Sequence, residues 1–527
     1  EHTVVPVCFM ENLDPVGIHT GDSVSVIPML TVPEDVQKEI QRQGTLIVEH
    51  MGIIGCADIK FAWNQQDGRV TVISFNPRMS RSSVLASKVT GVPVASISAR
   101  LAAGLLLREI PCADWGTMDQ YQPGHGPIAV KFPRWDFHPY DGAKDILGTQ
   151  MRSIGEAVAL GRTFKEALQK VVCSLEQKRY GLGQDEMFMA MTPDELMRKL
   201  AVPSSERYFM MYEALRKGAA PEEIQKITQV HSWFITQIKE LADEGNALRE
   251  LKGAIPSDAV LVQAKKDGFS DACLSHILEV PEDAIRIHRQ SIALTEKWQA
   301  VSVNSAMRQT GCFSTYNGEN QHIVRQGKPK IIVLGSGPER IGQSGESDYG
   351  CIRAMAALKK SGFETIMVNC DPAAVSTGED AADTVYIEPL TVEHVLEICR
   401  HEKPVGVIGQ FGGRAAEKLI LDDISTGASN DLEVATQIAK DMVTVYGMSD
   451  VIGPISLKDN DGQLEYQMFG DDMQDAIGKE VKKLIDIAYR DAQEILKQNV
   501  ETLHAIAKEL ISKEKINEQE FNKFFVK

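Results

Sequence analysis

The sequence lacks an excess of positive charge. Its 73 acidic residues outnumber 56 basic ones and give a net charge of −17. Proteins that bind nucleic acids or anionic membranes do so mainly through clustered lysine and arginine. The charge balance therefore excludes a chain-wide attraction to phosphate backbones or lipid surfaces. We expect small-molecule or protein partners and no nucleic-acid partner.

The sequence also lacks paired cysteines. Its nine cysteines are scattered, and none of them forms a Cys-x-x-Cys pair. Such spacing supplies neither a disulfide framework nor a cysteine cage for zinc. We therefore expect free thiols in a reducing compartment and a cytoplasmic location.

A long apolar run is absent as well. The longest one, residues 92–107, is interrupted by Pro93 and Arg100, whereas a membrane-spanning helix needs about 20 apolar residues. The sequence thus predicts no membrane segment. It begins at Glu1 rather than methionine and enters what reads as a strand at Thr3–Phe9, so we expect a chain that is truncated at its N terminus.

The patterns that are present predict a multidomain protein with α/β and all-α parts. At roughly 150 residues per domain, 527 residues provide for three or four domains. The first region is residues 1–160, and up to about residue 110 it alternates β-rich runs with turns. Thr45–Glu49, Ile59–Trp63 and Val70–Phe75 are predicted strands, the last two joined by a turn at Asp67-Gly68.

Three further regions follow. Residues 161–325 carry apolar positions at three-to-four spacing, which predicts a helical domain. Residues 326–411 alternate short apolar runs, glycine turns and helical segments, which is typical of a parallel α/β unit. Residues 412–527 are again predicted to be helical.

Two segments near the N terminus have the composition of a phosphate site. Glu11–Ser23 is rich in glycine, and 73–88 contains Arg78, Arg81 and Lys88. Glycines let the backbone approach a phosphate closely, and the cationic side chains can neutralise its charge. Each segment alone is equally well a solvated loop with basic residues.

Taken together and in this order, the two segments resemble the first ATP-grasp domain of the carbamoyl phosphate synthetase large subunit. The resemblance extends from residue 1 to about 411. It implies a partial ATP-grasp domain, a helical oligomerisation domain and a preATP-grasp α/β domain. The further motifs that carry it are Gly148–Glu156, Gly161–Leu168, Gly335–Gln343, Glu364–Pro372 and Glu388–Thr391.

The resemblance implies a function and its residues. The family makes carbamoyl phosphate from ATP, bicarbonate and ammonia, and a glutaminase small subunit or domain supplies the ammonia. Gly17, Ile18 and His19 then line the ATP. His19 contacts the phosphates, with Arg78 and Arg81 as the other catalytic candidates. An oligomer is also implied. The alternative for His19 is a loop histidine that caps a turn.

A magnesium or manganese site is implied too, and here the sequence departs from the family. Asn76 matches one metal ligand, but Lys60 and Ser74 stand where the family has glutamine and glutamate. A protonated lysine cannot bind magnesium, and serine brings no negative charge. We expect this metal site to be weakened or lost. Alternatively, Lys60 supplies positive charge directly to a phosphate.

From about residue 412 the resemblance changes. Gly412–Ile420 and Thr426–Thr436 resemble the peptidase domain of FtsH-type AAA+ zinc proteases. This similarity implies Asp431 as a zinc ligand, whose partners are two histidines of an HExxH helix. The nearest approach to that motif, His401–Val405, has valine in place of the second histidine. Asp431 is alternatively a helix cap.

Three hypotheses follow from the two resemblances. The chain is a synthetase fragment with a foreign tail, a zinc-protease fragment with a foreign head, or a non-catalytic scaffold that reuses both modules. Gly412 and Gly413 fit both family patterns. The join between the two modules therefore lies where a recombination or a gene-assembly error would place it.

Overall fold

The computed structural model describes residues 3–411, 429–453 and 471–498, together with 502, 505 and 509. Within these ranges it leaves out 113–114, 125, 138–141, 302–309, 342, 344, 379, 410 and 450. The chain divides into two compact units, Glu1–Asp422 and Asp423–Lys527.

The first unit begins with an α+β region. Its strands are β1 (Glu11–Asn12), β2 (Ser25–Ile27), β3 (Asp58–Trp63), β4 (Val70–Asn76), β5 (Pro111–Cys112), β6 (Gly116–Thr117), β7 (Ile128–Arg134) and β8 (Gly155–Gly161). Its helices are α1 (Glu34–Met51), α2 (Arg81–Thr90) and α3 (Val94–Ala102). Strands β1, β2, β7 and β8 form one antiparallel sheet in that order.

The predicted hairpin is confirmed. Strands β3 and β4 pair antiparallel, with Trp63 opposite Val70 beside the turn. The predicted strand Thr45–Glu49 is wrong, because these residues form the last turns of α1. Each β-branched residue lowers helix stability by only a few tenths of a kcal/mol, and Gly52 in the left-handed conformation ends the helix after them. Thr3–Phe9 contains no strand either.

A helical region follows, as the apolar spacing predicts. It contains α4 (Phe164–Ser174), α5 (Glu186–Ala190), α6 (Pro193–Leu200), α7 (Arg207–Arg216), α8 (Pro221–Thr228), α9 (Ser232–Arg249), α10 (Asp258–Lys266), α11 (Asp271–Leu278) and α12 (Glu282–Ser291). Phe234, Ile238 and Leu241 of the predicted apolar face are fully buried in one core. Ile227, which the same pattern placed inside, is 37% exposed.

The α/β unit is built on a six-stranded sheet. Its strands are β9 (Lys297–Ala300), β10 (Thr310–Thr315), β11 (Lys330–Leu334), β12 (Glu364–Val368), β13 (Thr384–Tyr386) and β14 (Gly406–Ile408), and its helices are α13 (Gly345–Lys360) and α14 (Val392–Glu402). The strand order is β14-β11-β12-β13-β10-β9, with only the β9–β10 pair antiparallel. The sheet thus includes two strands from the segment that the sequence placed with the helical domain.

Buried ion pairs join the helical region to this sheet. Lys170 of α4 donates to Glu388 at 2.9 Å, and to the carbonyl oxygen of Ser314 at 3.0 Å. Lys265 of α10 lies 2.5 Å from Glu393 of α14. Burial raises the pKa of Glu388, and the ammonium of Lys170 opposes that rise. A buried charge of this kind is tolerated because its partner lies beside it.

The second unit is helical in its described parts. Helices α15 (Ser429–Thr444) and α16 (Asp471–Gln498) pack against each other through a small apolar cluster that includes Ala439, Val443 and Val481. Ile438, which lies on the predicted apolar stripe, is 55% exposed. Among the described helices of the whole chain, none is long and apolar enough to cross a membrane.

We predict that Lys170→Met lowers the unfolding free energy by about 3–5 kcal/mol, because it leaves Glu388 buried without its ammonium partner. Urea unfolding followed by tryptophan fluorescence measures this loss. Lys38→Met is the control, since Lys38 and its partner Glu34 are both largely exposed. The double variant Lys170→Met/Glu388→Gln should recover stability. An equal loss in the control, or no recovery, would contradict this prediction.

Candidate functional site

The glycine-rich segment forms a loop between β1 and β2. Gly17 adopts a φ of +117°, a conformation that other residues rarely take. The backbone NH of His19 donates to the carbonyl oxygen of Gly148 at 2.7 Å. Buried Asp22 accepts hydrogen bonds from the NH groups of Arg152 and Ser153. The loop is therefore fixed to the segment before β8 rather than free in solvent.

His19 holds this loop in a defined shape. Its Nδ1 accepts a hydrogen bond from the NH of Gly21 at 3.0 Å, so the turn-capping alternative describes a real contact. Partial burial and the nearby Lys60 ammonium hold the pKa of His19 below its ordinary value. A neutral imidazole whose Nδ1 accepts must carry its proton on Nε2. His19 thus presents a hydrogen-bond donor at its second nitrogen.

The β3–β4 hairpin brings four polar residues to one face. Lys60 lies directly opposite Ser74, and Asp58 lies opposite Asn76. Because side chains two residues apart in a strand point to the same side, all four share that face. The Asn76 amide donates to Asp58 at 3.4 Å, and the Ser80 hydroxyl donates to the same carboxylate at 3.2 Å.

Two ammonium groups from different elements converge on Thr20. Lys60 Nζ lies 2.5 Å from Thr20 Oγ1. Lys131 Nζ, from the buried strand β7, lies 3.0 Å from the Thr20 carbonyl oxygen and 3.9 Å from Glu156. Burial lowers the pKa of Lys131. The loop, the hairpin and the sheet thus bring two ammonium groups within hydrogen-bond distance of Thr20. We call this place the cationic point.

These groups line a cleft of about 1860 Å³, together with Gly17, Ile18 and His19. Arg78 and Arg81 also line it, and both are exposed. The Arg78 guanidinium donates to the carbonyl oxygen of Met79 at 2.8 Å. Lys88 instead reaches the carbonyl oxygen of Thr377 in the α/β unit. The structure therefore collects the predicted residues in one cleft, with the exception of Lys88.

The residues around Asn76 do not fit magnesium. The ion prefers several hard oxygen ligands, among them carboxylates. Lys60 and Ser74 offer an ammonium and a neutral hydroxyl at this place, and the Asp58 carboxylate already accepts from Asn76 and Ser80. An ammonium on the same face also opposes a divalent cation. This face of the hairpin therefore lacks the ligand set of a magnesium site.

Sequence reasoning missed three residues of the cleft, namely Asp58, Lys131 and Glu156, which all line it. For Lys131 a signal existed, because a lysine inside the apolar run Ile128–Phe132 has to find a polar partner. No local pattern singled out Asp58 and Glu156, because their polar neighbours come from other strands.

The motifs of the α/β unit meet at the carboxyl ends of β11 and β12. Gly335 approaches Asn369 so closely that a Cβ there would lie 2.5 Å from its side chain. Buried Asp371 accepts from the NH of Ala373 at 2.8 Å. Burial raises the pKa of Asp371 to about 7. A carboxyl group in this position is thus held in its neutral form below about pH 7.

Asp371→Asn should stabilise the protein increasingly as pH rises from about 4 to about 7. In the unfolded chain Asp371 ionises above about pH 4. The unfolding free energy of the wild type therefore falls by up to about 1.4 kcal/mol per pH unit, until the pH passes the folded-state pKa of Asp371. Asparagine keeps the acceptor for Ala373 but cannot ionise.

Urea midpoints of both proteins at about pH 5 and about pH 8 measure the difference. Asp35→Asn, at an exposed position, is the matched control. If the urea midpoints of Asp371→Asn and the wild type differ by the same amount at both pH values, Asp371 does not change its ionisation in the folded protein over this range.

The residues nearest to an HExxH motif form a different cluster. His322 Nδ1 lies 3.0 Å from His401 Nε2. It also lies 4.0 Å from a carboxylate oxygen of Glu402. Lys330 donates to Glu402 at 2.6 Å, and the Tyr386 hydroxyl also bonds it. Among the described residues this is the one group of metal-ligand geometry. Its hydrogen bonds satisfy it without a metal.

Asp431 lies in the first turn of α15. A carboxylate there is favoured by the helix dipole. Its side chain lies outside the described residues, as do residues 412–428, which contain most of the motif that resembles the zinc proteases. Zinc binding by Asp431 therefore stays a prediction.

Four family models match the chain. The ATP-binding domain of the carbamoyl-phosphate synthase large chain matches residues 1–110. Its oligomerisation domain matches 156–293, and its preATP-grasp domain matches 327–442. Peptidase family M41 matches residues 390–524. The last two matches overlap, so the join inferred from the sequence lies inside their shared region.

Curated relatives agree with the first three matches. The carbamoyl phosphate synthase large chain of Archaeoglobus fulgidus is 40% identical over 435 residues, which is 81% of this chain and 40% of that protein. The large chain of Streptomyces coelicolor is 42% identical over 425 residues, or 78% and 38% respectively. The chain thus spans about 40% of the length of the relatives it matches.

Solved structures give only a distant likeness. The biotin carboxylase domain of a single-chain bacterial carboxylase has a TM-score of 0.25 and 13% identity, over 46% of this chain and 54% of that one. A score this low carries no argument about the fold. The family assignment therefore rests on the sequence relatives. Over about four-fifths of its length, the chain is homologous to part of the carbamoyl phosphate synthase large chain.

Proposed function

We propose that residues 1–411 are a portion of a carbamoyl phosphate synthase large chain whose cleft receives the phosphates of ATP. The observation that carries this proposal is the meeting of Lys60, Lys131 and the His19 loop at Thr20. Phosphoryl transfer depends chiefly on positioning and on positive charge around the phosphates. A cleft with ammonium groups from two strands beside the His19 loop supplies both.

Each predicted residue has a role in this proposal. Gly17 and Ile18 bring the loop backbone close to the nucleotide, since both line the cleft. His19 donates from Nε2 to a phosphate oxygen, because its Nδ1 is occupied by Gly21. Arg78 and Arg81 lie exposed at the cleft, where a guanidinium can bind phosphate through two parallel hydrogen bonds.

The wider assignment rests on the relatives. We propose that the complete activity makes carbamoyl phosphate from bicarbonate, ATP and ammonia, with a glutaminase small subunit or domain as partner. The helical region, which matches the oligomerisation domain, then provides contacts between copies. A cytoplasmic location belongs to the same proposal and accords with nine free cysteines.

The variant His19→Asn tests the role of His19. Asparagine can still cap the turn at Gly21 through its side-chain oxygen, but it has no donor that reaches as far as Nε2. We expect ADP affinity to fall about threefold to tenfold, the cost of one hydrogen bond. Isothermal titration calorimetry measures it.

His50→Asn is the control, because exposed His50 bonds the Leu46 carbonyl oxygen on its own helix. Unchanged ADP binding in His19→Asn would remove His19 from the phosphate site. Absence of ADP binding in the wild type would contradict the proposal that the cleft binds a nucleotide. ADP binding without ATPase activity in the presence of bicarbonate and ammonia would favour the non-catalytic scaffold.

A second candidate function is zinc proteolysis, which the match to peptidase family M41 favours. Among the described residues, the group with metal-ligand geometry is His322, His401 and Glu402, and the sequence contains no HExxH. A catalytic zinc normally has three protein ligands. We therefore predict no casein cleavage that a chelator abolishes. Chelator-sensitive cleavage that is also lost in Asp431→Asn would reverse this assignment.

A further inference from the structure

The cationic point at Thr20 has an unusual charge balance. Lys60 and Lys131 both lie within hydrogen-bond distance of this one residue. Lys131 has Glu156 at 3.9 Å, and it is only 6% exposed. Among the described residues, Lys60 bonds the neutral Thr20 hydroxyl and takes part in no ion pair. Two close ammonium groups repel each other unless an anion offsets them.

The same face is poor in groups that would hold a divalent cation. Ser74 is neutral and lies directly opposite Lys60. The carboxylate of Asp58 accepts hydrogen bonds from Asn76 and Ser80. On this face of the hairpin, a magnesium ion would therefore meet the shared carboxylate of Asp58 and the opposing ammonium of Lys60. An anion would meet two ammonium groups, with two guanidinium groups lining the same cleft.

We infer that the Lys60 ammonium replaces a divalent cation in this cleft, so that the cleft binds a polyphosphate, such as that of a nucleotide, without magnesium. The inference rests on the proposed function for the location of the phosphates. It goes beyond that proposal by assigning the neutralising charge to a side chain. Lys60 is placed for this because Thr20 belongs to the loop that carries His19 and Gly17.

Binding measured with and without a metal tests the inference. Tripolyphosphate and ADP are titrated into the purified chain by calorimetry, first with excess EDTA and then with magnesium. We expect both ligands to bind in EDTA, with an affinity that magnesium changes less than about threefold. The loss of one charge-assisted hydrogen bond corresponds to a change of about tenfold or more, so the two outcomes are well separated.

The double variant Lys60→Gln/Ser74→Glu exchanges the ammonium for an oxygen ligand and adds a carboxylate beside Asn76 on the same face. We expect its affinity in EDTA to fall at least about tenfold and magnesium to restore it. Lys60→Arg keeps the charge and should bind in EDTA like the wild type. Lys38→Gln, at a largely exposed lysine, is the control for general loss of positive charge.

The outcomes separate the two proposals. Wild-type binding that requires magnesium overturns the inference and leaves the nucleotide cleft in place. Tripolyphosphate binding in EDTA without any ADP binding supports the inference and overturns the nucleotide proposal. No binding of either ligand overturns both. Equal binding by the double variant and the wild type in EDTA also overturns the inference, provided that their melting curves match.

Discussion

The arrangement of the first unit depends on charges that are buried between its helical and α/β parts. Lys170 and Glu388 are both almost fully buried and lie 2.9 Å apart. Arg289 similarly reaches Glu397 at 3.1 Å. Each of these charges would cost several kcal/mol if buried alone. The docking of the helices on the sheet therefore has to bring each of these charges to its partner.

The candidate site depends on the same kind of constraint at a smaller scale. Asp22 in the glycine-rich loop accepts hydrogen bonds from Arg152 and Ser153. Lys131 of the sheet donates to the loop at the Thr20 carbonyl oxygen. Lys60 of the hairpin donates to the Thr20 hydroxyl. A cleft assembled from three elements is preorganised, and in the function proposed for it the charge that it accommodates is negative.

The region around the join gives the two family resemblances unequal support. Strand β14 completes the sheet by pairing parallel with β11, so the synthase-like fold continues to residue 408. Beyond it, the peptidase match rests on sequence similarity, and the helices α15 and α16 are consistent with a helical segment of any origin. The synthase-like assignment is therefore the better founded of the two.

Local pattern was enough to predict the β3–β4 hairpin and the parallel α/β unit, and it placed Lys60 and Ser74 on the hairpin. It failed at Thr45–Glu49, where a continuing helix outweighed β propensity. Alternation and three-to-four spacing report which neighbours share a face, because they follow from backbone geometry. Only the tertiary structure brought Lys131 to Thr20, 111 residues away, and joined β9 and β10 to the later sheet. Such contacts depend on how whole elements pack, which no local pattern encodes.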